Sequence, residues 1–271
     1  MANFNPYAAP NPHSAPEPTG LEGLGEPREF GVGEVISRGY ELFKDNFGIL
    51  VGSLVLSQVL QHGFNFLAGV ILGVLQNADV VAAKTLAATS IQLAFQVIGF
   101  FLACFFSVGS TRIHLAVARG RSASIGMLFS GADRMVSMLV AMLVAGLAIV
   151  GGILCLIVPG IIISIGLSLY AYFVVDRELG GVEAVRASWR ATKGHKGKIF
   201  TFMLASLGVV IAGALACGVG LLVAVPVVSM AWTLVYLRIT GQPLGDEAVF
   251  TPPSYAPMPD APLVGYGAAP R

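Results

Sequence analysis

A run of about 41 residues without a charged side chain, residues 135–175, constrains the fold of this chain more than any other feature. A helix crosses the hydrocarbon core of a bilayer in about 20 residues, so this run is long enough for two crossings, with Pro159 and Gly160 as the turn near its middle. Residues 176–198 are then rich in charge, which marks a return to one membrane surface. The sequence therefore predicts a membrane protein with a helical hairpin at its centre.

The composition also indicates a membrane protein. Hydrophobic residues make up 55% of the chain and charged residues 11%, against roughly 25% charged residues in soluble domains. The net charge of +1 argues against a protein that binds nucleic acid. Cys104, Cys155 and Cys217 all fall within apolar stretches and form no CxxC pair, so we interpret them as buried apolar side chains. We therefore expect neither a metal nor a cofactor.

Three further apolar runs complete the membrane-spanning pattern. Two of them, residues 47–75 and 85–111, precede the central hairpin and are each long enough for one crossing. The third, residues 199–237, is long enough for two crossings, and residues 217–220 form its expected turn. The chain is therefore expected to cross the membrane six times.

An amphipathic segment precedes each pair of crossings. These segments begin near Phe30, Ile125 and Gly181, and their polar faces are typical of helices that lie in the membrane interface. The predicted fold is all-α: a polytopic transmembrane helical bundle over residues 29–240, with six crossings and three interfacial amphipathic helices. The threefold pattern is a repeat of hydropathy, which any six-crossing protein of this kind also produces.

Both ends of the chain are rich in proline and contain few large apolar side chains. Residues 1–28 and 241–271 bury too little apolar surface to offset the entropy of ordering, so we expect disordered tails. The N-terminal tail lacks the basic start and apolar core of a signal peptide. The tails are also candidate segments for binding protein partners, and the oligomeric state stays open.

The basic residues near the crossings indicate the orientation of the chain. Of the basic residues near the crossings, only Lys84 falls on one side in the predicted topology. The others fall on the opposite side, which is the cytoplasmic side under the positive-inside rule. This distribution predicts a protein of the bacterial inner (cytoplasmic) membrane with both termini in the cytoplasm. The cytoplasmic set is Arg38, Lys44, Arg112, Arg119, Arg121, Arg134, Arg177, Arg186, Arg190, Lys193, Lys196, Lys198 and Arg238.

Polar residues line one face of each of the first two crossings. Lipid cannot satisfy these side chains, so they must face protein or water. They either join the two helices by hydrogen bonds or line a path for a small solute. This polar seam consists of Gln58, Gln61, His62 and Asn65 on the first crossing and Gln92 and Gln96 on the second.

The charged segment after the central hairpin is the second candidate site. Its basic residues either serve only as topology signals or contact anionic lipid headgroups, in which case membrane lipids are the partners. A tryptophan fits the headgroup layer under both interpretations. The candidate headgroup contacts are Arg186, Trp189, Arg190, Lys193, Lys196 and Lys198.

No catalytic constellation is visible in the sequence. GxSxG, HExxH and the phosphate-binding GxxxxGK[ST] motif are all absent, so we expect no enzyme activity. The favoured hypothesis is a non-enzymatic membrane component that acts through lipid or protein contacts. The alternative hypothesis is a small-solute transporter that uses the polar seam.

Three motifs carry a resemblance to known proteins. With IVPGIII at 157–163, VVDRELGGVEAVRASW at 174–189 and KGHKGKIF at 193–200, the chain resembles a bacterial multi-span family of unknown function. That family is similar to the membrane domain of glycerophosphoryl diester phosphodiesterases and to YciC-like inner-membrane proteins. The resemblance covers about residues 30–238 and implies a helical membrane fold. It implies no catalytic residue here, since the phosphodiesterase chemistry of those longer proteins lies in a separate soluble barrel.

Overall fold

A computed structural model describes residues 25–77, 86–216 and 218–245. The regular elements within these ranges are all helical, and six stretches are long and apolar enough to cross a membrane. The predicted all-α fold with six crossings is confirmed. The α-helices are α1 (Val32–Asp45), α2 (Phe47–Asn77), α3 (Leu86–Ala118), α4 (Met135–Cys155), α5 (Ile157–Leu167), α6 (Tyr170–Asp176), α7 (Gly181–Ala191), α8 (Lys196–Leu215) and α9 (Leu221–Ile239).

The central hairpin turns three residues earlier than the proline and glycine suggested. Helix α4 ends at Cys155, Leu156 has an extended backbone, and α5 begins at Ile157. Pro159 therefore lies in the first turn of α5, where its missing N–H leaves no helical hydrogen bond unmade. Gly160 serves close packing instead, because a Cβ at this position would lie 2.9 Å from the backbone nitrogen of Ile153. The two hairpin helices therefore approach each other closely at Gly160.

The amphipathic segment near Ile125 forms two short 3₁₀ turns, Ile125–Phe129 and Gly131–Asp133. Glycine and serine have low helix propensity, which explains why this segment does not form a longer α-helix. Gly131 lies directly against the carbonyl oxygen of Phe105, so the turns pack closely on α3. The second predicted interfacial helix is thus a compact 3₁₀ connection.

Helix α1 is amphipathic as predicted, but it packs along α9. Its buried residues are Val35, Gly39 and Phe43, whereas the neighbouring Tyr40 is 47% exposed. A Cβ at Gly39 would lie 3.0 Å from the carbonyl oxygen of Val227, so glycine allows the two helices to approach closely. The buried face of α1 is therefore centred on Gly39, where the helix contacts α9.

The packed core lies at one end of the bundle. Buried side chains cluster where the C-terminal ends of α3, α6 and α9 meet; Ile113, Phe173 and Tyr236 are each 0% exposed. Toward the α4–α5 and α8–α9 turns the apolar side chains point outward, with Leu154 82% and Leu215 81% exposed. Lipid covers such residues in a membrane protein, so protein packing is needed mainly at the core end.

The described structure includes short parts of both predicted tails. The backbone N–H of Arg28 donates to the carbonyl oxygen of Arg238 at 2.9 Å, and Leu244 is buried. Packing therefore continues beyond the last crossing. The remainder of the tails, residues 1–24 and 246–271, lies outside the described residues, as does Lys84.

Candidate functional site

Helix α7 is held against the central hairpin by a glycine contact. A Cβ at Gly181 would lie 2.5 Å from the carbonyl oxygen of Ser137 and 2.6 Å from the nitrogen of Ala141, both on α4. Ala184 and Ala187 continue the same face and are fully buried. The small side chains at these positions therefore let the backbone of α7 lie directly on α4.

Two hydroxyl groups attach α7 to the fourth crossing. This crossing is interrupted between α5 and α6, which frees the carbonyl of Gly166 and the N–H of Leu169 from continuous helical bonding. Ser188 donates to Gly166 O at 2.9 Å and accepts from Leu169 N at 3.1 Å, and Thr192 Oγ1 also lies 3.1 Å from Gly166 O. Ser188 and Thr192 are both fully buried. Sequence reasoning missed them, and their only signal is polarity on an otherwise alanine-lined face.

The Trp189 ring has two close contacts. A Cβ at Gly166 would overlap Cε3 and Cζ3 of the ring, so glycine is needed at that position. The ammonium group of Lys196 lies 3.4 Å from the ring centroid, a cation–π contact. Trp189 stays 39% exposed. The indole ring of Trp189 is thus held in place and partly exposed, next to the basic residues of α7.

Three cations of α7 and the following turn face outward. Arg186, Arg190 and Lys193 are exposed, and none of them forms an ion pair within the described residues. We call these three residues, with Trp189, the α7 cationic surface. Lys198 does not share this arrangement, because it pairs with Glu29, and this bond lowers the pKa of the Glu29 carboxyl.

Other basic residues of the predicted cytoplasmic side form ion pairs between elements. Arg112 pairs with Asp133 at 2.6 Å, and the hydrogen bond from the guanidinium holds the pKa of that carboxyl below its usual range. Arg134 pairs with Glu178, to which its guanidinium also donates at the backbone carbonyl. These residues connect α3, the 3₁₀ turns and α6 to one another. Their charge is therefore used within the protein, unlike the charge of the α7 cationic surface.

A cleft opens beside the α7 cationic surface. It has a volume of about 330 Å³ and lies between α4, α5 and α7. Its lining is almost entirely apolar, and Arg186, Trp189 and Arg190 lie along its α7 side. The apolar lining residues are Ala148, Ile163, Leu167 and Val185. The structure thus places an apolar groove beside two arginines of one rigid helix.

The residues of the polar seam lie on α2 and α3, which pack against each other. On α2, Gln58, His62 and Asn65 are exposed and Gln61 is half-buried. On α3, Gln92 and Gln96 are exposed. The two helices pack through Phe64 and Phe95, whose ring centroids are 5.7 Å apart.

The hydrogen bonds found in the seam stay within one helix. Asn65 Nδ2 donates to the backbone oxygen of Gln61 at 3.0 Å, a bond along α2. Among the side chains that the structure describes, none of the six forms a hydrogen bond across to the other helix. Because most of these side chains face outward, the structure brings the helices together but does not bring the two polar sets into contact.

Sequence reasoning also missed a buried polar network at the core end. Asp176 at the end of α6 lies 2.5 Å from the guanidinium of Arg119, and it accepts hydrogen bonds from Tyr236 at 2.7 Å and from Gln242 at 3.0 Å. Gln242 in turn accepts from Arg119. The network is internally satisfied and connects α3, α6 and α9. It is therefore a structural element of the core.

Residues 34–262 match a family described as a domain of unknown function, DUF7847. The chain belongs to the DUF7847 family. It is also similar to the uncharacterized protein Mb2590 of Mycobacterium bovis and to the uncharacterized protein Rv2560 of Mycobacterium tuberculosis. Each of them is 24% identical over 250 residues, an alignment that covers 87% of this chain and 75% of the relative. No solved structure matches the chain. The comparisons thus agree with the predicted family of unknown function, with relatives in bacteria.

Proposed function

We propose that this DUF7847 protein is a non-enzymatic component of the bacterial cytoplasmic membrane, with both termini in the cytoplasm, that contacts anionic lipid headgroups through the α7 cationic surface. The observation that carries this proposal is that Arg186, Arg190 and Lys193 lie together on one face of α7 and the turn after it and lack ion pairs within the described residues. The basic residues that form ion pairs between elements instead are Arg112, Arg119, Arg134 and Lys198. The charge of the α7 cationic surface is available to an external anion.

The expected strength of the contact follows from charge and rigidity. A basic residue near an anionic membrane surface contributes about 1 kcal/mol, so three of them supply about 3 kcal/mol at low salt. Helix α7 is fixed by Gly181 and by the bonds of Ser188, so little conformational entropy is lost when its surface contacts lipid. Trp189 has the amphipathic ring that favours the headgroup layer.

The resemblance to the membrane domain of glycerophosphoryl diester phosphodiesterases and to YciC-like proteins is part of the same proposal. It rests on the three motifs quoted above, two of which fall in and around α7. Under this proposal the protein corresponds to such a membrane domain without its catalytic barrel. Lipid contact is then the property that these proteins share.

A small-solute transporter is the second candidate, favoured by one observation. Five of the six polar-seam side chains are exposed on spans that must lie in lipid, where an unsatisfied amide is costly. Water in a solute path beside α2 and α3 supplies the missing partners under this alternative. Thiol labelling of the seam, described in the Discussion, distinguishes the two candidates.

Charge reversal tests the lipid-contact proposal. The full chain carrying Arg186→Glu and Arg190→Glu is purified in a mild detergent, and the copurified anionic lipid is quantified against wild type. The matched control carries Lys44→Glu and Arg121→Glu, two exposed cations elsewhere, and has the same net charge. We expect the α7 variant alone to lose anionic lipid at low salt, and the difference to shrink at high salt because of screening. Equal lipid in all three proteins, with unchanged thermal stability, would refute the proposal.

A further inference from the structure

The cleft beside α7 combines two kinds of surface in one place. Ala148 and Ile163 form apolar walls from α4 and α5, while Arg186 and Arg190 extend from α7 on the third side. Its volume of about 330 Å³ falls at the lower end of the range of about 300–1,000 Å³ found for small-molecule sites. The cleft is therefore large enough for part of a lipid molecule.

The chemistry of the lining restricts what can bind. Guanidinium groups bind phosphate oxygens through paired hydrogen bonds, and two of them one helical turn apart suit one phosphate group. The apolar walls offer no partner to a free phosphate ion or to water, but they suit an alkyl chain. A ligand that satisfies both parts carries a phosphate at one end and a hydrocarbon chain at the other.

The position of the cleft favours a membrane lipid. The apolar walls belong to two spans that cross the membrane, and Arg186 and Arg190 lie on the amphipathic helix that follows them. Trp189 lies beside the two arginines, where a tryptophan marks the boundary between headgroups and acyl chains. The cleft thus lies between a charged helix and two membrane spans, which suits the headgroup and the acyl chain of a phospholipid.

We infer that this cleft is a binding site for one anionic phospholipid, with an acyl chain between α4 and α5 and the phosphate held by Arg186 and Arg190. This inference rests on the proposed function and makes it specific. Attraction of a charged surface to the membrane has no fixed stoichiometry, whereas the cleft admits a single lipid. The two can therefore be measured separately.

Native mass spectrometry of the full chain in detergent tests the inference, with dipalmitoyl phosphatidylglycerol as the probe. Ala148→Trp fills the cleft from α4, and Ile163→Trp fills it from α5. Ala214→Trp is the matched control, because Ala214 is exposed on α8, away from the cleft. We expect wild type and the control to bind a first lipid about tenfold more tightly than a second, and both cleft variants to lose that difference.

The outcomes separate the inference from the proposed function. If folded cleft variants keep the tight first lipid, the cleft inference is wrong, and the proposal survives provided that charge reversal of Arg186 and Arg190 still removes anionic lipid. If charge reversal has no effect, both are wrong. Inorganic phosphate is added in a competition arm. Displacement of the lipid by equimolar phosphate would show that only the arginines bind, which overturns the acyl-chain part.

Discussion

The carboxylate of Asp176 lies 2.5 Å from the guanidinium of Arg119, and 7% of the Asp176 side chain is exposed. Asp176 is the last residue of α6, and Arg119 directly follows α3. The hydroxyl of Tyr236, on α9, donates a hydrogen bond to the same carboxylate. Three crossings that are distant in sequence thus meet at one buried charge. A buried ion pair costs desolvation, so its main consequence is that neither partner can be removed alone.

Removing one partner of this pair should destabilise the core end. We expect Asp176→Asn to lower the free energy of unfolding by about 3 kcal/mol, because the charge of Arg119 is then left without its partner. Unfolding of the detergent-solubilised protein by denaturant measures the change. The double variant Asp176→Asn with Arg119→Met should cost less than the sum of the single variants. Arg121→Ala, at an exposed neighbouring position, serves as the control, and an equal loss there would contradict the prediction.

Gly166 should be required for the position of Trp189. A methyl group at Gly166 overlaps the indole ring, so Gly166→Ala should displace Trp189 from Lys196 and destabilise the protein by about 1–3 kcal/mol. The chain has two tryptophans, so a Trp232→Phe background lets fluorescence report Trp189 alone. Gly208→Ala is the control, because a Cβ there meets nothing within 4 Å. Unchanged emission in Gly166→Ala would refute the predicted geometry, and adding Trp189→Leu should restore stability.

Cysteine labelling should show whether water reaches the polar seam. Gln61 and Gln96 lie on helices long and apolar enough to cross a membrane, so we expect cysteines at these positions to resist a water-soluble thiol reagent. The native cysteines are first replaced by alanine, because Cys155 is exposed. Ser122→Cys, in the exposed connection after α3, is the positive control. Rapid labelling of both seam positions in the folded protein would favour the transporter instead.

Reporter fusions should establish the orientation. Fusions after Gly120, Gly194 and Gly245 should give cytoplasmic signals, and a fusion after Asn77 should give a periplasmic signal, because the basic residues of the chain lie almost entirely on the first side. All of these positions lie at or beyond helix ends. A periplasmic signal at Gly194 would place α7 on the opposite side and remove the basis for the proposed function.

Hydropathy predicted the membrane-spanning elements because it depends only on local sequence. A span needs about 20 apolar residues wherever it packs, so the six crossings and the amphipathic character of α1 and α7 are visible without tertiary contacts. The turn at residues 217–220 was also predicted correctly, since α8 ends at Leu215 and α9 begins at Leu221. Cys217 itself lies outside the described residues.

The rest of the site depends on contacts between distant residues. Ser188 acquires its role only because the fourth crossing is interrupted 19 residues earlier, at Leu169. Lys198 lies beside the α7 cations in sequence, yet its partner is Glu29, 169 residues away. Asp176 was interpreted as part of a charged surface, and its burial requires α9 to be in place. No local pattern encodes such pairings.

The concentration of packing at one end has a consequence for biosynthesis. Each hairpin satisfies its own backbone hydrogen bonds and can enter the bilayer as it leaves the ribosome. The shared core cannot form at that stage, because α9 supplies much of it, including Met230, Leu234 and Tyr236. Until this helix is made, Asp176 lacks the hydroxyl of Tyr236, and Gly39 of α1 lacks the backbone of α9 on which it packs. The earlier spans therefore pack into their final arrangement only after α9 has been synthesised. The chain is most exposed to proteolytic quality control just before this final crossing is inserted.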